Sequence, residues 1–137
     1  MNGPPPVAAR GLLKRYGRIV AVNNVDLTVE PGDVFGYLGP NGAGKTTSLR
    51  MMLGLIRPTG GSVELFGRDP VKEGVRKALE GVAGFVEAPR FYPYLSGRKN
   101  LRLLADYDGL GAKSRIDEML DLVELRDRAR DRVGGYS

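Results

Sequence analysis

Between residues 39 and 47, closely spaced glycines stand beside one lysine and two threonines. Gly39, Gly44, Lys45 and Thr46 satisfy the pattern G-x-x-x-x-G-K-[ST]. Glycines let the backbone turn tightly, so that successive N–H groups point inward at an anion. A lysine ammonium can reach the β- and γ-phosphates of a nucleotide, and the hydroxyl that follows it can bind Mg²⁺. The predicted nucleotide-binding residues of this P-loop are Gly39, Pro40, Asn41, Gly42, Ala43, Gly44, Lys45, Thr46 and Thr47.

A phosphate-binding loop of this kind follows a strand and precedes a helix. Val34 to Leu38 form a short apolar run, which predicts a fully buried strand. After the loop, apolar residues recur at helical spacing: Leu49, Met52, Leu53 and Ile56. A helix beginning near Lys45 would add its positive end to the anion site. The 20 glycines make a chance match easier, but strand, loop and helix together favour a nucleoside triphosphate site.

The rest of the chain predicts strands first and helices later. Strands are expected at residues 8–13, 20–29 with a bulge near Asn23-Asn24, 62–66 and 82–86. Helical stripes follow at 71–79, 101–105 and 116–123, and Ser96 and Ser114 are predicted N-caps, with Asp117 completing a capping box. The composition changes at residues 88–93. The predicted organisation is a disordered leader (1–6), a β-subdomain with the P-loop core (7–88) and a helical part (89–137).

Composition narrows the class of protein. The 137 residues contain no cysteine and no histidine, which excludes disulfides, thiolate or imidazole metal sites and imidazole bases. No apolar run reaches 18 residues, so we expect no membrane span in the chain, and a reducing cytoplasm fits this composition. The net charge is +5, but acids and bases alternate through residues 126–132. This predicts a solvated, salt-bridged surface, and no nucleic-acid partner is expected.

From Val7 to Ser137 the sequence resembles the ATP-binding subunit of ABC transporters. Residues 39–47 have the form that the P-loop takes in that family, and residues 53–61 are similar as well. Lys14-Arg15-Tyr16-Gly17 resembles the family's adenine-stacking segment, which makes Tyr16 the aromatic platform. A surface tyrosine at a strand end is the simpler interpretation. The resemblance also places Val22 among the nucleotide-binding residues.

Glu87 departs from the family pattern, which usually has glutamine at this place. The resemblance implies a residue that touches Mg²⁺ and the attacking water, so Glu87 is predicted to be catalytic with Lys45 and to bind the metal with Thr46. A carboxylate can bind Mg²⁺ but cannot donate a hydrogen bond. With Phe91-Tyr92-Pro93 behind it, the segment is similar to exporters of the bacitracin- and lantibiotic-resistance branch. The alternative is a solvated glutamate at a strand end.

The sequence reaches Gly135-Tyr136-Ser137, where the family's signature motif begins with its serine. In the family, a second acidic motif, a catalytic glutamate and a switch histidine follow. We therefore expect the 137-residue polypeptide to bind ATP weakly and to hydrolyse almost none. The missing neighbour strand would leave Val34 to Leu38 as an exposed apolar edge, which favours aggregation.

The resemblance implies an α/β fold of the P-loop NTPase type, as part of an ABC nucleotide-binding domain. It also implies Mg·ATP as cofactor and hydrolysis that powers export. Expected partners are transmembrane permease subunits and a second ATP-binding subunit, as a homodimer or a heterodimer. The expected location is cytoplasmic, on the inner face of the membrane. Two alternatives stay open: a soluble ABC protein acting on ribosomes or DNA, and an unrelated P-loop kinase or GTPase.

Overall fold

The computed structural model describes residues 3–87, 90–108 and 111–136. The chain forms two compact units, Met1–Glu87 and Ala88–Ser137. The first two residues of the predicted leader, and Ser137 at the start of the signature motif, lie outside the described residues. Of the remaining leader, the Pro6 carbonyl accepts a hydrogen bond from the Phe66 N–H at 3.1 Å.

The first unit is built on a three-stranded antiparallel sheet of order β2-β1-β3. β1 is Val7–Tyr16, β2 is Ile19–Val29 and β3 is Gly60–Leu65. The three strands expected at residues 8–13, 20–29 and 62–66 are therefore confirmed, with bounds that differ by up to three residues. A short turn joins β1 to β2, because Tyr16 pairs with Ile19.

A bulge in β2 lies where the sequence predicted it. Leu12 is opposite Val25 and Lys14 is opposite Val22, so that two residues of β2 face one residue of β1. Asn24 takes the extra position with φ 50°, a left-handed conformation that asparagine tolerates. Because the bulge shifts the alternation by one residue, Val22 and Val25 both pack at the core of this unit.

Helix α1, Lys45–Met52, begins at the end of the glycine loop, as predicted. Its buried residues are Ser48, Met51 and Met52. The core that it forms with the sheet consists of Ala9, Leu12, Val22, Met51, Met52 and Val63, with Ile56 packed at its edge. The predicted apolar stripe was partly wrong, because Leu49 is exposed and Met51 lies in the core instead.

The two predicted buried strands are absent. Residues 34–38 and 82–86 are not in strands, and Val34, Leu38 and Phe85 are largely exposed. Among the described residues, no strand lies beside either segment, since the sheet consists of β1, β2 and β3. An extended segment without a neighbour must satisfy its backbone groups with water, so apolar composition alone does not make it a strand.

A short helix, α2, covers Val75–Ala78, fewer residues than the predicted helical stripe. Val71 lies before it in a turn, where the Asp69 carboxylate accepts hydrogen bonds from the N–H groups of Val71 at 2.8 Å and Lys72 at 3.2 Å. An aspartate that bonds the backbone two residues on is typical of such turns. This turn explains why the helix starts late.

The second unit contains α3, Gly97–Asp108, and α4, Ile116–Leu122, with short 3₁₀ turns at Ala112–Arg115 and Val133–Gly135. Its core consists of Ala105, Ile116, Leu120 and Ala129. No helix within the described ranges is both long enough and apolar enough to cross a lipid bilayer.

One of the two predicted N-caps is confirmed. The Ser96 hydroxyl accepts a hydrogen bond from the Lys99 N–H at 3.3 Å, at the start of α3. Ser114 is not a cap, because it lies in the 3₁₀ turn and donates to the Gly111 carbonyl at 2.7 Å. Asp117 forms an ion pair with Arg98 instead of a capping box.

Candidate nucleotide-binding site

The P-loop makes a tight turn into α1. The Ala43 N–H donates to the Pro40 carbonyl at 3.2 Å, and the Ser48 N–H donates to the Gly44 carbonyl at 2.8 Å as the first bond of the helix. Gly42 and Gly44 have φ of 83° and 82°, in the left-handed region that favours glycine. The loop therefore has the backbone shape for which its glycines were predicted.

Strand β2 fixes the position of the loop. A Cβ atom at Gly44 would lie 2.2 Å from the Ala21 carbonyl oxygen and 3.0 Å from Cγ2 of Val22. The loop backbone thus approaches β2 so closely that no side chain fits between them. This contact gives Val22, predicted as a nucleotide-binding residue, a place directly behind the P-loop.

Lys45 directs its charge at the loop. Its Nζ atom donates to the Gly39 carbonyl at 2.6 Å and to the Pro40 carbonyl at 2.7 Å. An ammonium has three N–H donors, so one remains for a further acceptor. Pro40, Asn41 and the rest of the loop up to Ala43 are exposed. The ammonium therefore lies beside an exposed part of the loop, where its remaining donor can attract an anion.

The first turn of α1 adds to this positive field. It contains no acidic residue, and Thr46 is exposed while Thr47 is half-buried. The Thr46 hydroxyl is therefore open to a ligand, whereas Ser48 is fully buried and accepts a hydrogen bond from the Tyr37 hydroxyl at 3.2 Å. The Ser48 contact ties α1 to the segment before the loop. Sequence reasoning missed it, although Ser48 lies one turn after Gly44.

Glu87 is paired with a residue that the sequence did not single out. Its Oε1 atom lies 3.3 Å from a guanidinium nitrogen of Arg50. Arg50 follows Thr46 by one helical turn, so both are on the same face of α1. The structure thus brings Glu87 to the face of α1 that carries Thr46, through Arg50. The spacing of four residues could have indicated Arg50 as a member of the site.

Tyr16 lies at the end of β1, half exposed. The Lys14 ammonium lies 5.1 Å from the centroid of its ring and also donates to the Arg57 carbonyl at 2.6 Å. Lys14 is opposite Val22, which lies behind the P-loop. Tyr16 follows Lys14 by two residues along β1, a distance of roughly 7 Å at the usual rise of a strand. It therefore belongs to the sheet end that contacts the P-loop.

These side chains offer oxygens of the kind that a magnesium–nucleotide complex can use. In the described ranges, no group of three or more acidic residues could hold a metal ion. Mg²⁺ usually takes one or two protein oxygens and completes its shell with phosphates and water. Thr46 and Glu87 are the residues that would supply such oxygens, and Lys45 would meet the phosphates.

The sequence and the fold are similar to those of known proteins. The family profile described as ABC transporter matches residues 22–137. The chain is 42% identical over 126 residues to the bacitracin transport ATP-binding protein BcrA of Bacillus licheniformis. The aligned region covers 92% of this chain and 41% of that protein. It is 41% identical over 131 residues to Nod factor export ATP-binding protein I of Cupriavidus pinatubonensis, with coverages of 93% and 40%.

Solved structures with a similar fold belong to the same kind of protein as these relatives. A structure of the ATP-binding subunit of an ABC transporter matches with a TM-score of 0.78 at 25% identity, over 96% of this chain and 55% of that chain. An ATP-binding cassette in its ADP conformation matches with a TM-score of 0.81 at 19% identity, over 97% of this chain and 59% of that chain. At this identity the match supports the fold alone. The chain spans between 39% and 42% of the length of three curated relatives. The fold is that of part of an ABC nucleotide-binding domain, and the chain belongs to the ABC transporter ATP-binding family.

Proposed function

We propose that this chain binds Mg·ATP through the P-loop at residues 39–47. The observation that supports this most is the arrangement of Lys45, whose ammonium lies against the Gly39 and Pro40 carbonyls at the start of the loop. Gly44 is packed on β2 at the other end, so the backbone N–H groups between them are held in place. A preformed positive cradle of this kind recognises the phosphates of a nucleotide.

The proposed roles of the other residues follow from their places. Thr46 binds Mg²⁺ with its exposed hydroxyl, and Glu87 supplies a second oxygen after leaving Arg50. Tyr16 stacks on the adenine, as its half-exposed ring at the sheet end allows. Val22 supports the loop from behind, and Thr47 lies in the first turn of α1 beside the phosphates.

Isothermal titration with Mg·ATP tests the proposal. We expect weak but measurable binding, and Lys45→Ala should lower the affinity at least about tenfold, because it removes a charge-assisted contact to phosphate. Lys72→Ala is the matched control, since it removes an exposed lysine paired with Asp69 at 3.3 Å. Equal binding by wild type and Lys45→Ala would contradict the role given to the loop.

We further propose that the polypeptide of 137 residues hydrolyses almost no ATP by itself. Phosphoryl transfer depends on positioned charges around the γ-phosphate and on a group that orients water. The resemblance places several of those groups after the signature serine, and the chain has no histidine. Phosphate release measured with malachite green should equal that of Lys45→Ala. Turnover clearly above that variant would contradict the proposal.

In its cellular setting we propose an ATP-binding subunit that powers export with transmembrane permease subunits and a second ATP-binding subunit. The names of two relatives support this, since one is a bacitracin transport protein and another a Nod factor export protein. Such a subunit lies on the cytoplasmic face of the membrane. The tagged protein expressed in its own cells should sediment with membranes, and sedimentation with ribosomes would contradict the proposal.

A further inference from the structure

A charged cavity lies in the unit Ala88–Ser137, at the start of α3. Its volume is about 550 Å³. The charged residues that line it are Arg98, Arg102, Arg126, Arg130, Asp117 and Asp127. The lining holds four guanidinium groups and two carboxylates, and a third carboxylate, Asp121, pairs with Arg126 from outside it. None of these residues belongs to the P-loop site, and we call this cavity the arginine pocket.

Part of the charge is neutralised inside the arginine pocket. Arg98 forms an ion pair with Asp117, and that contact holds the pKa of the Asp117 carboxyl below its usual value. Asp117 therefore stays ionised under ordinary conditions. Arg126 lies 4.0 Å from Asp117 and pairs more closely with Asp121, outside the pocket lining. Two of the four arginines thus already have carboxylate partners.

Arg102 and Arg130 differ from the other two arginines. Among the described side chains, neither forms an ion pair, although both face the same cavity. The charge of Arg102 contributes to the lowered pKa of Asp117, and Asp127 is the other carboxylate of the lining. Cations that share a concave surface repel one another, and they create a positive potential that attracts anions. An anion bound between them would relieve this repulsion.

The two sides of the arginine pocket are joined by the backbone. The Arg98 N–H donates to the Ala129 carbonyl at 2.9 Å, and the Gly97 N–H donates to the Asp131 carbonyl at 3.2 Å. Ala129, which accepts the first of these bonds, is buried. The start of α3 and the segment around Arg130 therefore keep a fixed spacing. Because these bonds already use N–H groups of α3, a ligand would be held by the guanidinium groups.

We propose that the arginine pocket binds a phosphate-bearing anion, of the phosphate monoester type. Planar guanidinium groups donate paired hydrogen bonds to phosphate oxygens. Arg102 and Arg130, which form no ion pair among the described side chains, are two guanidinium groups for a monoester, which carries nearly two negative charges at neutral pH. The volume lies within the usual range for small-molecule sites, which leaves room for the organic part of the ligand. The phosphate could come from a soluble molecule or from a lipid headgroup.

The test uses the Lys45→Ala chain, so that binding at the P-loop does not contribute. Titration with inorganic phosphate should show binding, and Arg102→Gln with Arg130→Gln should raise the dissociation constant about tenfold. Arg18→Gln with Arg76→Gln removes the same charge from exposed positions of the other unit and should change it less than about twofold. Asp127→Asn should tighten binding about threefold, because it removes a repelling charge from the lining.

Vesicles distinguish the source of the phosphate. Binding to phosphatidic acid vesicles without binding of inorganic phosphate identifies a lipid headgroup, whereas binding of inorganic phosphate identifies a soluble ligand. In both cases Arg102→Gln with Arg130→Gln must abolish most of the binding. The proposal is overturned if neither probe binds, or if the pocket variant and the control variant lose affinity equally. Loss of ATP binding in Lys45→Ala has no bearing on this result.

Discussion

Replacing Gly44 by alanine tests whether the close approach of the P-loop to β2 holds the site together. The new Cβ would lie 2.2 Å from the Ala21 carbonyl oxygen, far inside van der Waals contact, and φ of 82° is unfavourable for alanine. The conformation costs about 1–2 kcal/mol, and relieving the overlap by moving backbone costs about 1–3 kcal/mol. We therefore expect Gly44→Ala to lower the free energy of unfolding by about 2–5 kcal/mol.

Gly42→Ala is the matched control. Gly42 has φ of 83°, but no atom lies within 4 Å of the place of its Cβ, so only the conformational cost applies. The measurement is urea unfolding of both variants, followed by circular dichroism and extrapolated linearly. Gly44→Ala should be less stable than Gly42→Ala by about 1–3 kcal/mol, the cost of the overlap alone. If the two variants unfold at the same urea concentration, the contact with β2 does not fix the loop.

Three more substitutions test other parts of the structure. Leu12→Ala, at a fully buried core position, should lower the urea-unfolding free energy by about 2–5 kcal/mol. Because Arg98 depresses the pKa of Asp117, this pair stabilises the fold at neutral pH, and its contribution is lost as pH falls through the lowered pKa. In Asp117→Asn the midpoint of urea unfolding should therefore depend less on pH below pH about 4. Glu87→Gln should raise the Mg²⁺ concentration needed for half-maximal ATP binding severalfold, measured by titration, whereas Glu73→Gln should not.

Local signals in the sequence predicted the features that depend on neighbouring residues. Alternation predicted β2, and the change of phase at Asn23-Asn24 predicted the bulge. The glycine pattern predicted where α1 begins, because a tight turn and the first helical bond occupy adjacent residues. The same locality explains the correct N-cap at Ser96, whose partner is three residues away.

Features that depend on distant residues could not be predicted in this way. The run Val34 to Leu38 has the composition of a buried strand, but a strand forms only beside another strand, and none of the described residues provides one. The pair of Arg50 and Glu87 joins residues 37 positions apart. Ser114 is of a residue type that often caps helices, but its hydroxyl donates to the Gly111 carbonyl instead.

The central claim is that the backbone amides of the loop and the Lys45 ammonium together hold the phosphates of ATP. Amide chemical shifts of the nitrogen-labelled chain, recorded during titration with Mg·ATP, test it most directly. The largest changes should fall on residues 39–47, with Tyr16 also affected, and they should disappear in Lys45→Ala while Lys72→Ala retains them. Loop amides that do not move at saturating nucleotide, or that move equally in Lys45→Ala, would contradict the claim.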